Sequence, residues 1–186
     1  GILLSSAIEK YSNIFGVACG QKNVLFTNND SAYETAISLF QKGINIEAII
    51  DNREEVDSKL IKEIEKNNIK IYKGYTVVDT FGYKKINKIS IMQLSKDGQK
   101  VVGSKISIDC DCLGMSGGWT PAVHLFTQSG GKLKFRDDDQ VFIPDTYPSD
   151  QISIGSCNGD FTLDEILSGI SKKLKDFLNI KKTEYE

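Results

Sequence analysis

Histidine is all but missing from this chain: His124 is the only one among 186 residues. No acid or nucleophile is tied to it by spacing, so a packing or hydrogen-bonding role explains it better than proton transfer. Cysteine is scarce as well, with Cys19, Cys110, Cys112 and Cys157 making four in all. Their spacing forms no disulfide framework and no signal-peptide pattern precedes them, which points to a reducing, cytoplasmic compartment. No run approaches the ~18 consecutive apolar residues of a membrane helix. Charge of one sign is lacking too: 23 Lys and Arg face 25 Asp and Glu with no basic stripe, which argues against nucleic acid as a partner. Internal repeats and low-complexity tracts are also absent.

The short motif Cys110-x-Cys112 is not the Cys-x-x-Cys of thiol–disulfide chemistry. Zinc would need about four ligands, and only Cys19, Cys157 and His124 are spare, at no recognisable spacing. Thiols packed on one face of a strand are the simpler reading, with Asp109 and Asp111 facing the other way, towards solvent or a partner. The acidic run Asp137–Asp138–Asp139 has no EF-hand register after it and reads as a solvated turn.

What is present is an ordinary globular composition, 40% hydrophobic and 26% charged, enough for one core, or one core and a dependent lobe. The chain opens at Gly1 without Met on an apolar pattern, so it is expected to be part of something longer. Residues 2–15 read as an amphipathic helix, with Leu3, Leu4, Ala7, Ile8, Tyr11, Ile14 and Phe15 near helical spacing. A strand at 24–27, a helix at 31–41 with Ala32, Tyr33, Ala36, Ile37 and Phe40 inward, and a strand at 46–50 ending on Asp51 come next. A helix striped by Leu60, Ile61 and Ile64 and a strand at 69–72 complete the run. Short connections in that order predict parallel strands with right-handed crossovers. Strands at 75–80, 86–94 and 100–112, with a turn at Lys96–Asp97–Gly98–Gln99, predict an antiparallel meander hung on this unit.

The stretch 106–126, ISIDCDCLGMSGGWTPAVHLF, organises the rest. A strand runs into breaks at Gly114 and at Gly117–Gly118, where backbone can approach a ligand or a neighbouring domain closely. Trp119 beside them either covers a ligand or anchors a domain contact. Beyond it come a short helix over 122–128, a hairpin over 132–143, a loop between Pro144 and Pro148, and a strand at 152–154. A last helix begins near Thr162, striped by Leu163, Ile166, Leu167, Ile170, Leu174, Phe177 and Leu178. Thr162 with Glu165 three residues on is a capping box. The N–H groups near Phe161–Leu163 are alternatively an anion contact.

The turn Thr27–Ser31 followed by Asp51 occupies the place where a dinucleotide fold carries its glycine-rich turn and its ribose-binding acid. Yet Thr27–Asn28–Asn29–Asp30–Ser31 has no glycine, its side chains would crowd a pyrophosphate, and Asp30 would repel it. A retained fold whose site has been lost or repurposed accounts for these residues better than a working site, with Arg53 leaving a phosphate contact open.

Three strings carry a resemblance: VLFTNNDSAY at 24–33, DCLGMSGGWTPAVHLFTQSGG at 111–131 and GSCNGDFTL at 155–163. Together the chain resembles the alpha subunit of heterotetrameric sarcosine oxidase from about Ile2 to Leu178. The resemblance implies a fragment of a much longer subunit with disulfide-reductase-like, FAD/NAD(P)-binding architecture. The expected fold is a Rossmann-like three-layer α/β domain, a parallel sheet plus an antiparallel meander, followed by a partial return segment of a second dinucleotide-binding domain. The implied domains are residues 1–117, an inserted NAD(P)-binding-like domain with a leading helix, and residues 118–186, the return segment.

The resemblance further implies oxidative demethylation of sarcosine to glycine, a reaction on a CH–NH bond that forms hydrogen peroxide and methylenetetrahydrofolate. NAD would sit in the full-length alpha subunit, FAD and FMN in the full complex, and none of them on this chain, which would be inactive alone. Its partners would be the remainder of alpha and the beta, gamma and delta subunits, with self-association of the isolated piece as a consequence. Gly117, Gly118, Gly155, Ser156, Phe161 and Thr162 would be its cofactor-binding positions, near the NAD-side surface of the full-length subunit. Flavoproteins of this architecture carry Gly-Asp at the return strand, whereas this chain has Gly155–Ser156 and lacks that acid. Two other readings stand beside it: an independent NAD(P)- or flavin-dependent reductase domain, and a non-enzymatic subunit-interaction module.

Overall fold

A computed structural model describes residues 1–56, 59–148 and 151–178; residues 179–186, the end of the expected return segment, lie outside the described residues. The chain forms two compact units, Gly1–Gly118 and Trp119–Glu186.

The first unit is built on a five-stranded parallel sheet. Its strands are β1 (Ile2–Leu4), β2 (Asn23–Thr27), β3 (Ile46–Asp51), β4 (Lys70–Lys73) and β8 (Cys112–Ser116), in the spatial order β1-β8-β2-β3-β4. Helices α1 (Ser5–Phe15), α2 (Ser31–Gln41) and α3 (Ile61–Lys66) supply the crossovers. The three-stranded meander β5 (Tyr75–Phe81), β6 (Lys88–Leu94) and β7 (Val101–Asp109) leaves after β4 and returns the chain to β8.

Alternation along the strands divides the core in two. Leu25, Ile49 and Cys112 pack with Ile8, Tyr33, Ile37, Leu39 and Ile64 of the helices. Val24, Ile50 and Leu113, one residue along each strand, pack with Ile89, Ile91 and Cys110 against the meander. The result is three layers, helices on sheet on meander, as the sequence pattern predicts.

The details differ from expectation at several points. The opening residues are not helix throughout: Ile2–Leu4 pair with Leu113–Met115 as the edge strand β1, and helix begins only at Ser5. Tyr11, Ile14 and Phe15 are exposed, as is Phe40 of α2. Residues 106–112 are not one strand either. β7 ends at Asp109 in the antiparallel meander and β8 starts at Cys112 in the parallel sheet. The corner between them is held by Asp111, whose part-exposed carboxylate accepts the N–H groups of Gln21 (3.1 Å) and Lys22 (2.8 Å), while Asp109 is exposed as expected. Because the strand breaks there, Cys110 and Cys112 enter opposite core layers rather than one face.

Gly114 does not interrupt the structure. It sits inside β8, where a Cβ would stand 2.5 Å from Leu25 Cδ2 and 2.9 Å from Ile8 Cδ1, so its missing side chain lets α1 lie close on the sheet.

The second unit contains α4 (His124–Gln128), the hairpin β9 (Lys132–Arg136) and β10 (Val141–Thr146), a 3-10 turn at Gly155–Asn158 and α5 (Leu163–Phe177). Residues 152–154 form no strand, and Pro144 lies within β10 rather than opening a loop. The small core gathers around Phe126, which meets Tyr147 edge-on at 5.0 Å between ring centroids. Arg136 donates to the Gly159 carbonyl (3.0 Å), and Lys173 pairs with Asp160 (3.0 Å). The capping box forms as expected, with Glu165 N–H on Thr162 Oγ1 (3.3 Å) and Thr162 N–H on Glu165 Oε2 (3.1 Å). No residue of α5 is buried, and among the described residues Leu163, Leu167, Leu174 and Phe177 of its apolar stripe remain exposed while Ile166 and Ile170 are half-buried.

Candidate functional site

Open parallel sheets bind ligands beyond the carboxyl ends of their strands, where the strand order reverses direction. Here β2, β3 and β4 step one way across the sheet and β8 returns on the other side of β2. The crevice therefore lies between the exits of β2 and β8, whose residues Thr27 and Ser116 are register partners. The β2 exit leads through Asn28–Asn29–Asp30 into α2, and the β8 exit leads through Gly117–Gly118.

Asparagine side chains span that crevice. Asn29 Nδ2 donates to the Ser116 carbonyl (3.1 Å) and to Ser116 Oγ (3.2 Å), and Asn28 Nδ2 donates to the Gly117 carbonyl (3.2 Å). On its other side Asn29 Oδ1 accepts the Ser31 N–H (3.1 Å) and hydroxyl (2.5 Å) at the start of α2. Thr27 Oγ1 tightens the same turn by accepting the Asn29 N–H at 3.0 Å. This is an Asx-type turn in which a side-chain oxygen satisfies a helix N–H.

Asp51, at the exit of β3, is wholly buried. It accepts the Tyr33 hydroxyl (2.9 Å), the Arg53 N–H (2.9 Å), Arg53 Nε (3.1 Å) and Arg53 Nη2 (2.8 Å). Arg53 Nη2 also reaches Asp30 Oδ1 at 2.8 Å. Burial, then the Asp51 charge, pushes the Tyr33 hydroxyl well above its ordinary value. The hydrogen bond to Asp51 likewise holds the Arg53 guanidinium above its own.

These residues do not fit a dinucleotide. A pyrophosphate would meet a helix start whose first N–H, that of Ser31, Asn29 already takes, and a ribose would need an Asp51 oxygen already committed to Tyr33 and Arg53. Arg53 is divided between two carboxylates, whose charges offset the attraction it could offer a phosphate.

The other sequence-derived candidates fall in separate units. Gly117 and Gly118 close the first; a Cβ on Gly117 would meet nothing within 4 Å, and Gly118 has φ +99°. Gly155, Ser156, Phe161 and Thr162 belong to the second, where Gly155 opens the 3-10 turn and Thr162 caps α5. The capping box uses the Thr162 and Glu165 N–H groups that an anion would seek there. His124 begins α4, and Trp119 is exposed. Among the described residues no group of three or more His, Cys, Asp or Glu could hold a metal ion. No helix among them is long and apolar enough to cross a membrane.

Residue reasoning missed Tyr33 as the partner of Asp51 and Ser116 as the anchor of Asn29. The Asn-x-Ser spacing of Asn29 and Ser31 was the available signal for the closed turn; the Ser116 contact joins residues 87 apart and left none.

No family model matches the chain. It is 31% identical over 170 residues to the sarcosine oxidase subunit alpha of Corynebacterium sp. (strain P-1), covering 90% of this chain and 17% of that protein. The subunit alpha of Corynebacterium sp. (strain U-96) is 28% identical over 159 residues, covering 86% and 16%. That of Rhizobium meliloti (strain 1021) is 28% identical over 143 residues, covering 77% and 13%. The chain thus spans about one-sixth of the length of the curated relatives it matches first. Among solved structures, T. acidophilum thioredoxin reductase superposes with a TM-score of 0.61 at 17% identity, over 96% of this chain and 57% of that one. A flavoprotein disulfide reductase of Escherichia coli gives 0.64 at 12% identity, over 96% and 39%. At such identities the likeness shows the fold, the Rossmann-like architecture of FAD/NAD(P)-binding oxidoreductases.

Proposed function

Kinship with the sarcosine oxidase alpha subunits extends over nine-tenths of this chain, and from that premise we propose that it is an accessory, non-catalytic region of an oxidoreductase of that family. The whole protein oxidises the N-methyl group of sarcosine. Two electrons leave the CH–NH bond and reduce oxygen to hydrogen peroxide, the one-carbon unit passes to tetrahydrofolate as methylene, and glycine remains. NAD, FAD and FMN are held by other parts of the assembly, and the chain's own partners are the remainder of alpha and the beta, gamma and delta subunits in the cytoplasm. Residues 1–117 act as the inserted domain and 118–186 as the return segment of its neighbour. Gly117, Gly118, Gly155, Ser156, Phe161 and Thr162 are the cofactor-binding positions of this region, lying near the NAD-side surface of the whole subunit.

One observation carries the reading: the alignment runs through 170 residues, and so through both units, while the crevice of the first unit is closed by its own side chains. The open space around Gly117 supports a close backbone approach by another part of the assembly. The test is a peroxide assay with sarcosine and tetrahydrofolate. The 186-residue chain alone is expected to give none, and co-expression with the rest of the alpha subunit and its partner subunits is expected to give turnover. Sarcosine-dependent peroxide from the chain alone overturns the proposal, as does an assembled complex that oxidises another amine and leaves sarcosine untouched.

The exposure of Leu163 and Leu167 on α5 favours a second role within the same reading, as an interaction surface. Sedimentation of the chain before and after Leu167→Lys tests it; self-association that the substitution abolishes is the expected result.

A further inference from the structure

We infer that the nucleotide crevice of the first unit is filled by the protein itself, with the Asn29 carboxamide standing where a bound phosphate would sit, and that nicotinamide dinucleotides do not enter it. The inference concerns the crevice alone and holds whatever substrate the whole assembly oxidises.

A dinucleotide site of this architecture makes three demands, and the structure answers each with an internal group. The first is free donors at the start of the helix after the first strand. The Ser31 N–H, the first of them, and the Ser31 hydroxyl both go to Asn29 Oδ1, at 3.1 and 2.5 Å, and the Tyr33 N–H goes to the Asp30 carbonyl at 3.0 Å. The second is a gap between the two strand exits wide enough for the phosphates to lie against backbone. Asn29 Nδ2 and Asn28 Nδ2 tie the β2 exit to the Ser116 and Gly117 carbonyls at 3.1 and 3.2 Å, so an entering phosphate would first have to break both ties. The third is a carboxylate with an oxygen free for the ribose hydroxyls. Asp51 has no solvent exposure, and Tyr33 and Arg53 hold both of its oxygens.

Charge points the same way. Asp30, half-exposed at the mouth, presents a carboxylate to an incoming anion, and its guanidinium partner is shared with Asp51. A carboxamide is a suitable substitute for the ligand because it offers an acceptor to the helix and a donor to the β8 carbonyl. A phosphate offers only acceptors and could not replace the donors that Asn29 gives to Ser116 and Asn28 gives to the Gly117 carbonyl; the Ser116 carbonyl would keep only the Asn28 N–H (3.3 Å). The fold has kept the frame of the site and paired its polar groups with one another; for the buried Asp51 such pairing is what burial requires.

The experiment uses the 186-residue chain and two readouts. Calorimetric titration with NAD, NADP and ADP is expected to show no saturable heat into the millimolar range. Saturable binding that Asn29→Ala or Asp51→Asn weakens overturns the inference, whereas binding that neither substitution alters places the nucleotide on another surface and upholds it. Amide hydrogen exchange reads the plug directly. Asn29→Ala is expected to speed exchange at the Ser31 amide about tenfold or more, the loss of one hydrogen bond, and an unchanged rate overturns the plug. Asn29→Asp keeps the acceptor and serves where Asn29→Ala does not fold. It must preserve Ser31 protection, and its loss in that variant also overturns the inference.

Discussion

Tyr33 and Asp51 share a 2.9 Å hydrogen bond with neither side chain open to solvent. Eighteen residues apart, they join helix α2 to the end of strand β3 at the point where related folds receive a ribose. A buried carboxylate is tolerable only when its oxygens are paired. Tyr33 and Arg53 supply that pairing, so the network belongs to folding rather than to ligand capture.

Arg53→Ala would leave the Asp51 carboxylate buried with the Tyr33 hydroxyl and one backbone N–H. Such loss of one partner of a buried ion pair costs about 3 kcal/mol. Tyr33→Phe removes a single hydrogen bond to a charged group, about 2 kcal/mol. Urea unfolding of both variants measures the order; an Arg53→Ala variant as stable as the wild type rules the network out as a stabilising element.

The same pair predicts a loss of stability at alkaline pH. The Tyr33 hydroxyl is raised from 10.0 by burial and then by the Asp51 charge, so the folded chain binds its proton more tightly than the unfolded chain does. The stabilisation is therefore complete below pH 10 and declines as pH rises towards the higher folded value. Tyr33→Phe should remove this part of the alkaline decline. Parallel stability–pH curves for the two proteins above pH 10 refute the assignment.

Cysteine labelling separates core from surface. Burial, followed in Cys110 by the neighbouring Asp111 charge, pushes the Cys110 and Cys112 thiols up to about 11, while Cys19 and Cys157 are partly exposed. Thiolate is the reactive form, so brief treatment with a maleimide at neutral pH should modify Cys19 and Cys157 and spare the other two. Mass spectrometry of native and urea-unfolded protein reads the difference, and early adducts at Cys110 or Cys112 contradict the two-layer core.

Two glycines should respond unequally to alanine. Gly114→Ala forces a methyl to 2.5 Å from Leu25 Cδ2, and overpacking of this kind costs about 1–3 kcal/mol. Gly117→Ala meets open space, and its effect on the chain should stay within about 0.5 kcal/mol. Thermal melts compare them. In the assembled protein Gly117→Ala should weaken association if another domain lies against it, which a pull-down with the rest of the alpha subunit detects.

Local chemistry made the two crossovers from β2 through β3 to β4 legible. Val24–Phe26 and Ile46–Ile50 are short apolar runs bounded by caps and turns, and nothing in the tertiary structure competes with their strand propensity. The capping box of Thr162 and Glu165 is equally local and formed as read. The boundaries that failed are those where a distant partner decides. Ile2–Leu4 carries a helical pattern but becomes a strand because β8, over a hundred residues on, offers it hydrogen bonds. The strand expected over 106–112 breaks because Asp111 is drawn to the N–H groups of Gln21 and Lys22.

Taken alone, the sequence determined the layered α/β class, the order of its crossovers and the glycine-free turn that argues against a pyrophosphate. Those properties depend on hydrophobic period, propensity and side-chain bulk, which act between near neighbours. Only the tertiary structure decided what fills the crevice: Asn29 bound to Ser116, Asn28 to Gly117 and Tyr33 to Asp51. Each is a hydrogen bond across strands or layers, and its existence depends on a geometry that chain proximity cannot supply.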